Sequence, residues 1–149
     1  MSPEERLREL GIELPVLPAL DGPRLKRVVV HGGLAFVSGD GDGTVNGYVG
    51  SDVSTADAAH AARVTAHRHC TALREALGSL DSVERWVKVL VLVRSAPGFS
   101  DQPQVANGYS EAIAELWGED RGVAARSAIG VAELPGGMAV EAEAIVALG

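Results

Sequence analysis

The side chains best suited to chemistry lie near the C-terminus, in the run from Arg126 to Leu148. Arg126 opens one apolar segment, and Glu141 and Glu143 lie two residues apart in the next. A guanidinium can bind a carboxylate through two parallel hydrogen bonds, and a carboxylate can position water or carry a proton. An arginine and a glutamate near a sheet edge also commonly form only a solvated ion pair, worth about 0–1 kcal/mol. The residue types alone therefore leave a catalytic and a structural interpretation open.

Two β-strands are predicted to carry these residues. Arg126 opens the first strand, which continues through Ala128–Leu134, the second spans Met138–Leu148, and a Pro-Gly-Gly turn separates them. In the second segment the even-numbered positions are apolar, whereas the odd-numbered positions include Glu141 and Glu143. Because successive side chains of a strand point to opposite faces, this alternation predicts an apolar core face with both carboxylates on the other face.

The same run resembles the signature of the RidA family, also called YjgF/YER057c/UK114. The resemblance consists of an Arg-Ser pair, a hydrophobic stretch ending in Leu-Pro, and a Val-Glu-x-Glu strand, and it extends in the order of elements over about residues 26–149. Members of that family are enamine/imine deaminases that were historically labelled translation inhibitors or endoribonucleases. The matching residues are Arg126, Ser127, Val131, Leu134, Pro135, Val140, Glu141 and Glu143.

The resemblance implies a role for each of these charged residues. Arg126 is expected to bind the carboxylate of a small 2-imino or 2-oxo acid, with help from the backbone N–H of Ala128. Glu141 is expected to orient water at the imine carbon and to carry its proton to the departing ammonia, with Glu143 as a structural partner. A cysteine is often found in the family where this chain has Ala128, and its contribution there is chiefly through the backbone.

Further substrate-binding positions follow from the resemblance at two other places in the chain. A strand ends at Ser38-Gly39, which corresponds to the Ser-Gly pair that lines the family's pocket. Asp40 stands where the family has a glutamine, so an acceptor-only charge is expected near the site and leaves the substrate type open. Asn107 belongs to an Asn-x-Tyr pattern whose asparagine lies near the pocket in the family, although an ordinary helix-surface amide is the alternative.

The order of predicted elements indicates an α+β fold in which two long helices cover one face of a mixed sheet. The resemblance implies the chorismate-mutase-like form of this fold, with residues 1–24 as an N-terminal extension and residues 25–149 as the RidA-like domain. The predicted elements before the C-terminal strands are a hairpin of Arg27–His31 and Leu34–Ser38, a helix over Ser54–Leu77, a strand over Ser82–Val93, and a helix from Pro103 to Gly118.

The predicted strand Ser82–Val93 is apolar on both faces, which is typical of a strand covered on both sides. Alternation places its valines on one face and Trp86, Leu90 and Leu92 on the other. Since one layer of helices covers only one face, a neighbouring subunit is expected to cover the other. The resemblance implies a homotrimer with three clefts between subunits.

Composition argues against several other classes of protein. The 149 residues include 13 basic and 20 acidic side chains, giving a net charge of −7, and only 4% are aromatic. A nucleic-acid partner is therefore not expected, since RNA binding needs a concentrated basic surface and stacking platforms. The single cysteine, Cys70, excludes an intrachain disulfide, and no segment has the length and apolarity of a signal peptide or membrane span. We expect a soluble cytoplasmic protein without a membrane partner.

No metal or other cofactor is expected. The acidic loop that begins at Asp40 fails the calcium-binding pattern, because Val45 and Ser51 occupy the positions that require glycine and glutamate. His67 and His69 are two residues apart on a predicted helix and so cannot face one metal ion. The first hypothesis is thus hydrolysis of short 2-imino acids in inter-subunit clefts. The alternative is a non-catalytic sensor of small carboxylates on the same fold, and ribonuclease or translation inhibitor activity is least favoured.

Overall fold

The computed structural model describes residues 1–149, and its main elements are three helices and five strands. Two short 3-10 turns, Leu80–Ser82 and Pro135–Gly137, connect elements. In chain order the elements are α1 (Pro3–Leu10), β1 (Val28–His31), β2 (Leu34–Asp40), α2 (Thr55–Leu77), β3 (Val83–Arg94), α3 (Gln102–Gly122), β4 (Ala125–Val131) and β5 (Val140–Leu148).

The five strands form one sheet in the order β1-β2-β5-β3-β4. Only β3 and β4 run parallel, and the other neighbours are antiparallel, so the predicted mixed sheet and α+β class are confirmed. The last two strands are consecutive in the chain, yet they do not pair with each other, because β3 lies between them. This arrangement matters for the site, since it separates Arg126 on β4 from Glu141 on β5.

The face that packs against α2 and α3 is the apolar face predicted for β5. Val140, Ala142, Ala144 and Val146 are buried, whereas the side chains between them are partly or fully exposed. The predicted bounds shift slightly: β5 begins at Val140 rather than at Met138, and β4 begins one residue before Arg126 and ends at Val131 rather than at Leu134. We call the opposite side of the sheet, away from α2 and α3, the open face.

A bulge in β3 corrects the prediction for its two faces. The pairing with β5 changes register between Trp86 and Lys88, so the alternation shifts by one position. Trp86 is consequently 1% exposed and lies in the core with Val89, while Val87 is 38% exposed. Leu90 and Leu92 face away from the core as predicted and are partly buried.

The open face keeps a set of apolar side chains with no cover. Val29 is 48% exposed there, Ile129 is 47% exposed and Phe36 is 40% exposed. Leu90 and Leu92 lie between them on β3. Exposed apolar patches of this kind are typical of surfaces that contact another molecule.

Helix α2 begins and ends where the sequence places its caps. The Ser54 side chain accepts a hydrogen bond from the backbone of Asp57, and Gly78 closes the helix in the left-handed conformation with φ of 85°. The buried face of α2 consists mainly of alanines, and it also contains Thr65 and His69.

Helix α3 crosses α2 at a glycine. An ideal Cβ built on Gly108 would lie 1.9 Å from the carbonyl oxygen of Ala59, so the two backbones are in direct contact there. The next residue, Tyr109, is fully buried, and its hydroxyl lies 2.6 Å from Nδ1 of His69. The predicted helix end at Gly118 is instead a kink, with φ of 78°, after which the helix continues to Gly122.

The N-terminal residues pack against the rest of the chain. A capping box formed by Ser2 and Glu5 starts α1, and Leu7 is 3% exposed within the core. Glu4 accepts two hydrogen bonds from Arg74 of α2, at 2.7 and 3.0 Å. Residues 1–10 are thus held to the helical layer by both apolar and charged contacts.

Candidate functional site

Arg126 lies at the edge strand β4 and reaches toward α3. Its Nη1 atom donates hydrogen bonds to Oδ1 of Asn107 at 3.0 Å and to Oγ of Ser110 at 3.1 Å. It pairs along the sheet with the buried Val89, which places its side chain on the helix-covered face. The structure thus brings Arg126 into contact with Asn107, a residue that the resemblance placed near the pocket, and it adds Ser110, which only the register of α3 against β4 could reveal.

The charge of Arg126 is not compensated by a carboxylate. Its two partners, Asn107 and Ser110, are neutral oxygen acceptors, and it takes part in none of the ion pairs. Two neutral hydrogen bonds fix the position of the guanidinium and leave Nε and Nη2 without protein acceptors. Such a group is suited to binding an anion through parallel hydrogen bonds.

Glu141 lies on β5, two strands away from Arg126 and next to the end of β2. The β2–β5 pairing changes register between Val37 and Asp40, so the backbone of Ser38 and Gly39 departs from the regular ladder there. An ideal Cβ on Gly39 would lie 3.2 Å from both Cδ and Oε2 of Glu141. The absence of a side chain at Gly39 thus makes room for the Glu141 carboxyl group.

Asp40 does not face the solvent as a free charge. Arg68 of α2 donates to its carboxylate through two bonds, Nε to Oδ2 at 2.8 Å and Nη2 to Oδ1 at 3.1 Å. This bidentate pair compensates the acceptor-only charge that the sequence predicted near the site. Sequence analysis missed Arg68, because the pair joins residues 28 positions apart and no local pattern indicates it.

The environment of Glu141 favours its protonated form. Partial burial raises the pKa of its carboxyl group above the ordinary value of 4.5, and the nearby negative charges of Asp40 and Glu143 raise it further. A carboxyl group whose pKa moves toward neutrality is better suited to accept and return a proton near physiological pH.

Arg126 and Glu141 lie on opposite faces of the sheet within one chain. Arg126 is paired with Val89, whose side chain faces the helices, whereas Glu141 is paired with Leu92, whose side chain lies on the open face. Strand β3 lies between β4 and β5, so the two backbones are also separated by two strand spacings, about 10 Å. One small acid cannot touch both side chains within a single copy.

The match to known proteins decides the family. A family model described as Endoribonuclease L-PSP matches residues 22–148, which is most of the chain. The chain belongs to the RidA/YjgF family. The protein TCP17 of Trypanosoma cruzi is 40% identical over 147 residues, which cover 95% of this chain and 91% of TCP17.

Two solved structures place this RidA/YjgF-family protein among its relatives. Atu1372 from Agrobacterium tumefaciens is 37% identical with a TM-score of 0.88, and the match covers 99% of this chain and 93% of that one. The YjgF gene product from E. coli is 30% identical with a TM-score of 0.56, and the match covers 87% of this chain and 91% of that one. The fold thus resembles Atu1372 more closely than YjgF, and the similarity to Atu1372 includes nearly all of the N-terminal residues.

Three of the remaining predicted substrate-binding residues of this family member line a small cavity. Ser38, Gly39 and Asp40 border a space of about 180 Å³ together with Leu25 and the buried His69. Ala128, on β4, is partly buried against the core, one residue beyond Ser127. The site residues therefore form two groups: an arginine group of Arg126, Asn107, Ser110 and Ala128, and a glutamate group of Ser38, Gly39, Asp40 and Glu141.

Two adjacent buried residues of α2, His69 and Cys70, are both uncharged at physiological pH. Burial lowers the pKa of His69 to about 4, so its ring is neutral at physiological pH. Burial raises the pKa of the Cys70 thiol to about 12, so it is not a thiolate nucleophile. No group of three or more His, Cys, Asp or Glu side chains is arranged to hold a metal ion, and none of the helices has the length and apolarity to cross a membrane.

Proposed function

We propose that this RidA/YjgF-family protein hydrolyses short 2-imino acids, and their enamine tautomers, to 2-oxo acids and ammonia. The observation that carries the proposal is the Arg126 guanidinium, which two neutral acceptors hold in place and no carboxylate neutralises. A 2-imino acid supplies the missing carboxylate, and its electrophilic C=N carbon lies next to that carboxylate. Binding through Nε and Nη2 of Arg126 would therefore fix the carbon that water must attack.

Glu141 carries out the proton transfers in this proposal. Water adds to the C=N carbon of the protonated imine while the Glu141 carboxylate accepts one of its protons, so that the carbon carries a hydroxyl group and a neutral amine. Glu141 then gives this proton to the amine nitrogen, and the C–N bond breaks to release ammonia. As the C=O bond forms, the hydroxyl proton passes to the Glu141 carboxylate, which releases it to the departing ammonia. The raised pKa of Glu141 suits a group that must both accept and give up this proton.

The proposal requires two copies of the chain at each site. Because Arg126 and Glu141 lie on opposite faces of one sheet, the arginine group of one copy would meet the glutamate group of its neighbour. A head-to-tail contact of this kind closes into a ring when the rotation between neighbours is a whole fraction of a turn, and we propose a homotrimer with three such clefts. The uncovered apolar side chains Val29, Phe36 and Ile129 support an assembly that covers the open face.

Two other functions share parts of this site. A sensor that binds a small carboxylate without turnover would use Arg126 in the same way. RNA cleavage is the activity named in the description of the family model, but the net charge of −7 disfavours binding to a polyanion. The cytoplasmic location expected from the sequence also remains a prediction.

The test measures 2-oxo acid and ammonia formation from freshly generated 2-iminopropanoate, relative to uncatalysed hydrolysis. The wild-type protein is expected to accelerate the reaction, Arg126→Ala is expected to abolish the acceleration, and Arg8→Ala, an exposed arginine on α1, serves as the matched control. Wild-type rates in Arg126→Ala would refute the assignment. Saturable binding of 2-oxobutanoate with no acceleration would favour the sensor, and RNA cleavage that is lost in Arg126→Ala would favour the nuclease.

A further inference from the structure

A buried imidazole lies on the helix-covered side of the bulge at the end of β2. The pairing of β2 with β5 changes register there, so Ser38 and Gly39 lie opposite the single residue Glu143. His69 of α2 is 1% exposed and borders the same small cavity as Ser38 and Gly39. The steps of the proposed deamination assign no task to this ring.

Two backbone carbonyl groups lie against the His69 ring. Burial lowers the pKa of His69 to about 4, and the charge of Asp40 opposes this shift. The backbone groups of Ser38 and Ala142 oppose it as well, which a carbonyl oxygen does when it faces a ring N–H. The Tyr109 hydroxyl lies 2.6 Å from Nδ1, so we assign these two carbonyls to Nε2.

These neighbours select one tautomer of His69. The neutral ring carries one N–H, and its Nε2 atom is buried without a hydrogen bond of ordinary length and angle. A bare Nε2 would turn its lone pair toward the carbonyl oxygens, whereas a protonated Nε2 attracts them. Nδ1 then accepts from the hydroxyl of Tyr109, which keeps its proton because burial raises the pKa of Tyr109 well above 10.

The same two carbonyl groups belong to the backbone that places Glu141. Ala142 follows Glu141 on β5, and its buried side chain faces the helices. Ser38 precedes Gly39, whose missing side chain makes room for the Glu141 carboxyl group. His69 therefore contacts, from the helix side, the two segments that meet around Glu141 on the open face.

We propose that His69 is a positioning residue for Glu141. Its Nε2–H donates to the carbonyls of Ser38 and Ala142 and thereby holds the bulge in place. Without this donor the bulge is free to shift, and the Glu141 carboxyl group turns away from Gly39 into solvent. The effect of His69 on the rate rests on the proposed function, whereas the location of the carboxyl group can be measured without substrate.

The first measurement is the tautomer of His69 in the full-length protein, without substrate. Long-range proton–nitrogen NMR spectra distinguish a protonated ring nitrogen from one that accepts a hydrogen bond. We expect a protonated Nε2 and an unprotonated Nδ1 at neutral pH. A protonated Nδ1 would overturn the inference, and this test requires no variant.

The second measurement is the pKa of Glu141, followed by NMR in protein that contains isotope-labelled glutamate. Burial raises this pKa above 4.5 in the wild type, and Asp40 and Glu143 raise it further. In His69→Leu, which has a similar volume but no donor, we expect the pKa of Glu141 to fall toward 4.5 because its carboxyl group becomes more hydrated. His69→Gln, whose longer amide can donate at the place of Nε2, should keep the pKa raised. A folded His69→Leu with the wild-type pKa, or a His69→Gln with a lowered one, would overturn the inference.

Kinetics with 2-iminopropanoate then measure the effect on the rate. We expect His69→Leu to lose about tenfold in kcat with little change in KM, because Glu141 is displaced while Arg126 still binds the substrate carboxylate. His69→Gln should recover most of this loss. A raised KM at unchanged kcat in His69→Leu would contradict the positioning role.

The matched control is Thr65→Val, about one turn earlier on α2. The buried hydroxyl of Thr65 donates to the carbonyl of Ala61 in its own helix, so this variant should keep the wild-type kcat and the wild-type pKa of Glu141. An inactive wild-type protein would refute the deaminase proposal, and the tautomer and the pKa would then decide the role of His69.

Discussion

Replacing Gly39 by alanine tests the local geometry of the glutamate group with a single methyl group. The added Cβ would lie 3.2 Å from both Cδ and Oε2 of Glu141, closer than an ordinary van der Waals contact. The backbone of Gly39 does not need a glycine, because its φ is not in the left-handed region. The strain therefore falls on the end of the Glu141 side chain, which can move.

The size of the effect follows from that displacement. Relieving the contact to an ordinary separation requires the Glu141 carboxyl group to move by about half an ångström. Because a misplacement of 1 Å in a catalytic geometry can reduce rate about a hundredfold, we expect about a tenfold loss of kcat in Gly39→Ala. The melting temperature should change little, since a partly exposed side chain can rotate away at small cost.

The assay compares kcat for 2-iminopropanoate with the melting temperature in Gly39→Ala and in Gly43→Ala. Gly43 has open space around its Cβ position and an ordinary φ, so its alanine variant should match the wild type in both measurements. In the Gly39→Ala/Glu141→Gln double variant, the loss should equal that of Glu141→Gln alone, because the methyl group acts only through Glu141. Additive losses, or a wild-type rate in Gly39→Ala, would refute the reasoning.

Three further predictions follow from other contacts. Removing the charge of Asp40 by Asp40→Asn should lower the pKa of Glu141, so the acid limb of the pH–rate profile should move to lower pH. Gly108→Ala places a Cβ 1.9 Å from a backbone oxygen of α2, and overpacking should reduce the free energy of unfolding by about 1–3 kcal/mol or more, measured by urea titration. Burial raises the pKa of Glu4, but hydrogen bonds from Arg74 and from a backbone N–H outweigh it and lower the pKa below 4.5. The stabilisation by ionised Glu4 is thus fully present above pH 4.5 and is lost as the pH falls through the lowered pKa of Glu4. Glu4→Gln should therefore reduce the free energy of unfolding by at most about 1 kcal/mol at pH 7 and should have no effect at strongly acid pH.

The Asp40→Asn and Gly108→Ala predictions each have a control variant. Asp21→Asn removes an exposed carboxylate far along the chain from Glu141 and should leave the pH–rate profile unchanged. Glu111→Ala changes an exposed position on α3 and should leave stability near the wild-type value. A profile that moves to higher pH in Asp40→Asn, an unchanged stability in Gly108→Ala, or a pH-independent cost in Glu4→Gln would each contradict the corresponding argument.

Local patterns were sufficient to predict much of the sheet and of the helical layer. The alternation in β5 fixed its core face because a period of two leaves only one assignment of buried residues. The same rule failed at Trp86, because a bulge adds one residue to β3 and nothing in the sequence around it distinguishes a bulged strand from a regular one.

The relation between Arg126 and Glu141 could not be obtained from the sequence. The two residues are close in the chain and on consecutive strands, but β3 lies between those strands. The register of β4 and of β5 against β3 places the two side chains on opposite faces of the sheet. The ion pair of Arg68 with Asp40 was equally hidden, because it depends on how α2 lies over the end of β2. Long-range order of the strands and helices, and not residue type, decides which charges meet.

Subunit complementation tests the shared site most directly. Arg126→Ala and Glu141→Gln are each expected to be inactive alone. In a mixed assembly, a Glu141→Gln copy can supply Arg126 and a neighbouring Arg126→Ala copy can supply Glu141, and the cleft between these two copies is then complete. Equal amounts of the two variants, unfolded together and refolded, should recover about one quarter of wild-type activity, because random assembly of a ring makes about one cleft in four complete. Mixing Arg126→Ala with the Arg126→Ala/Glu141→Gln double variant should recover none. Activity in either single variant alone, or no recovery on mixing the two, would contradict a site built from two copies.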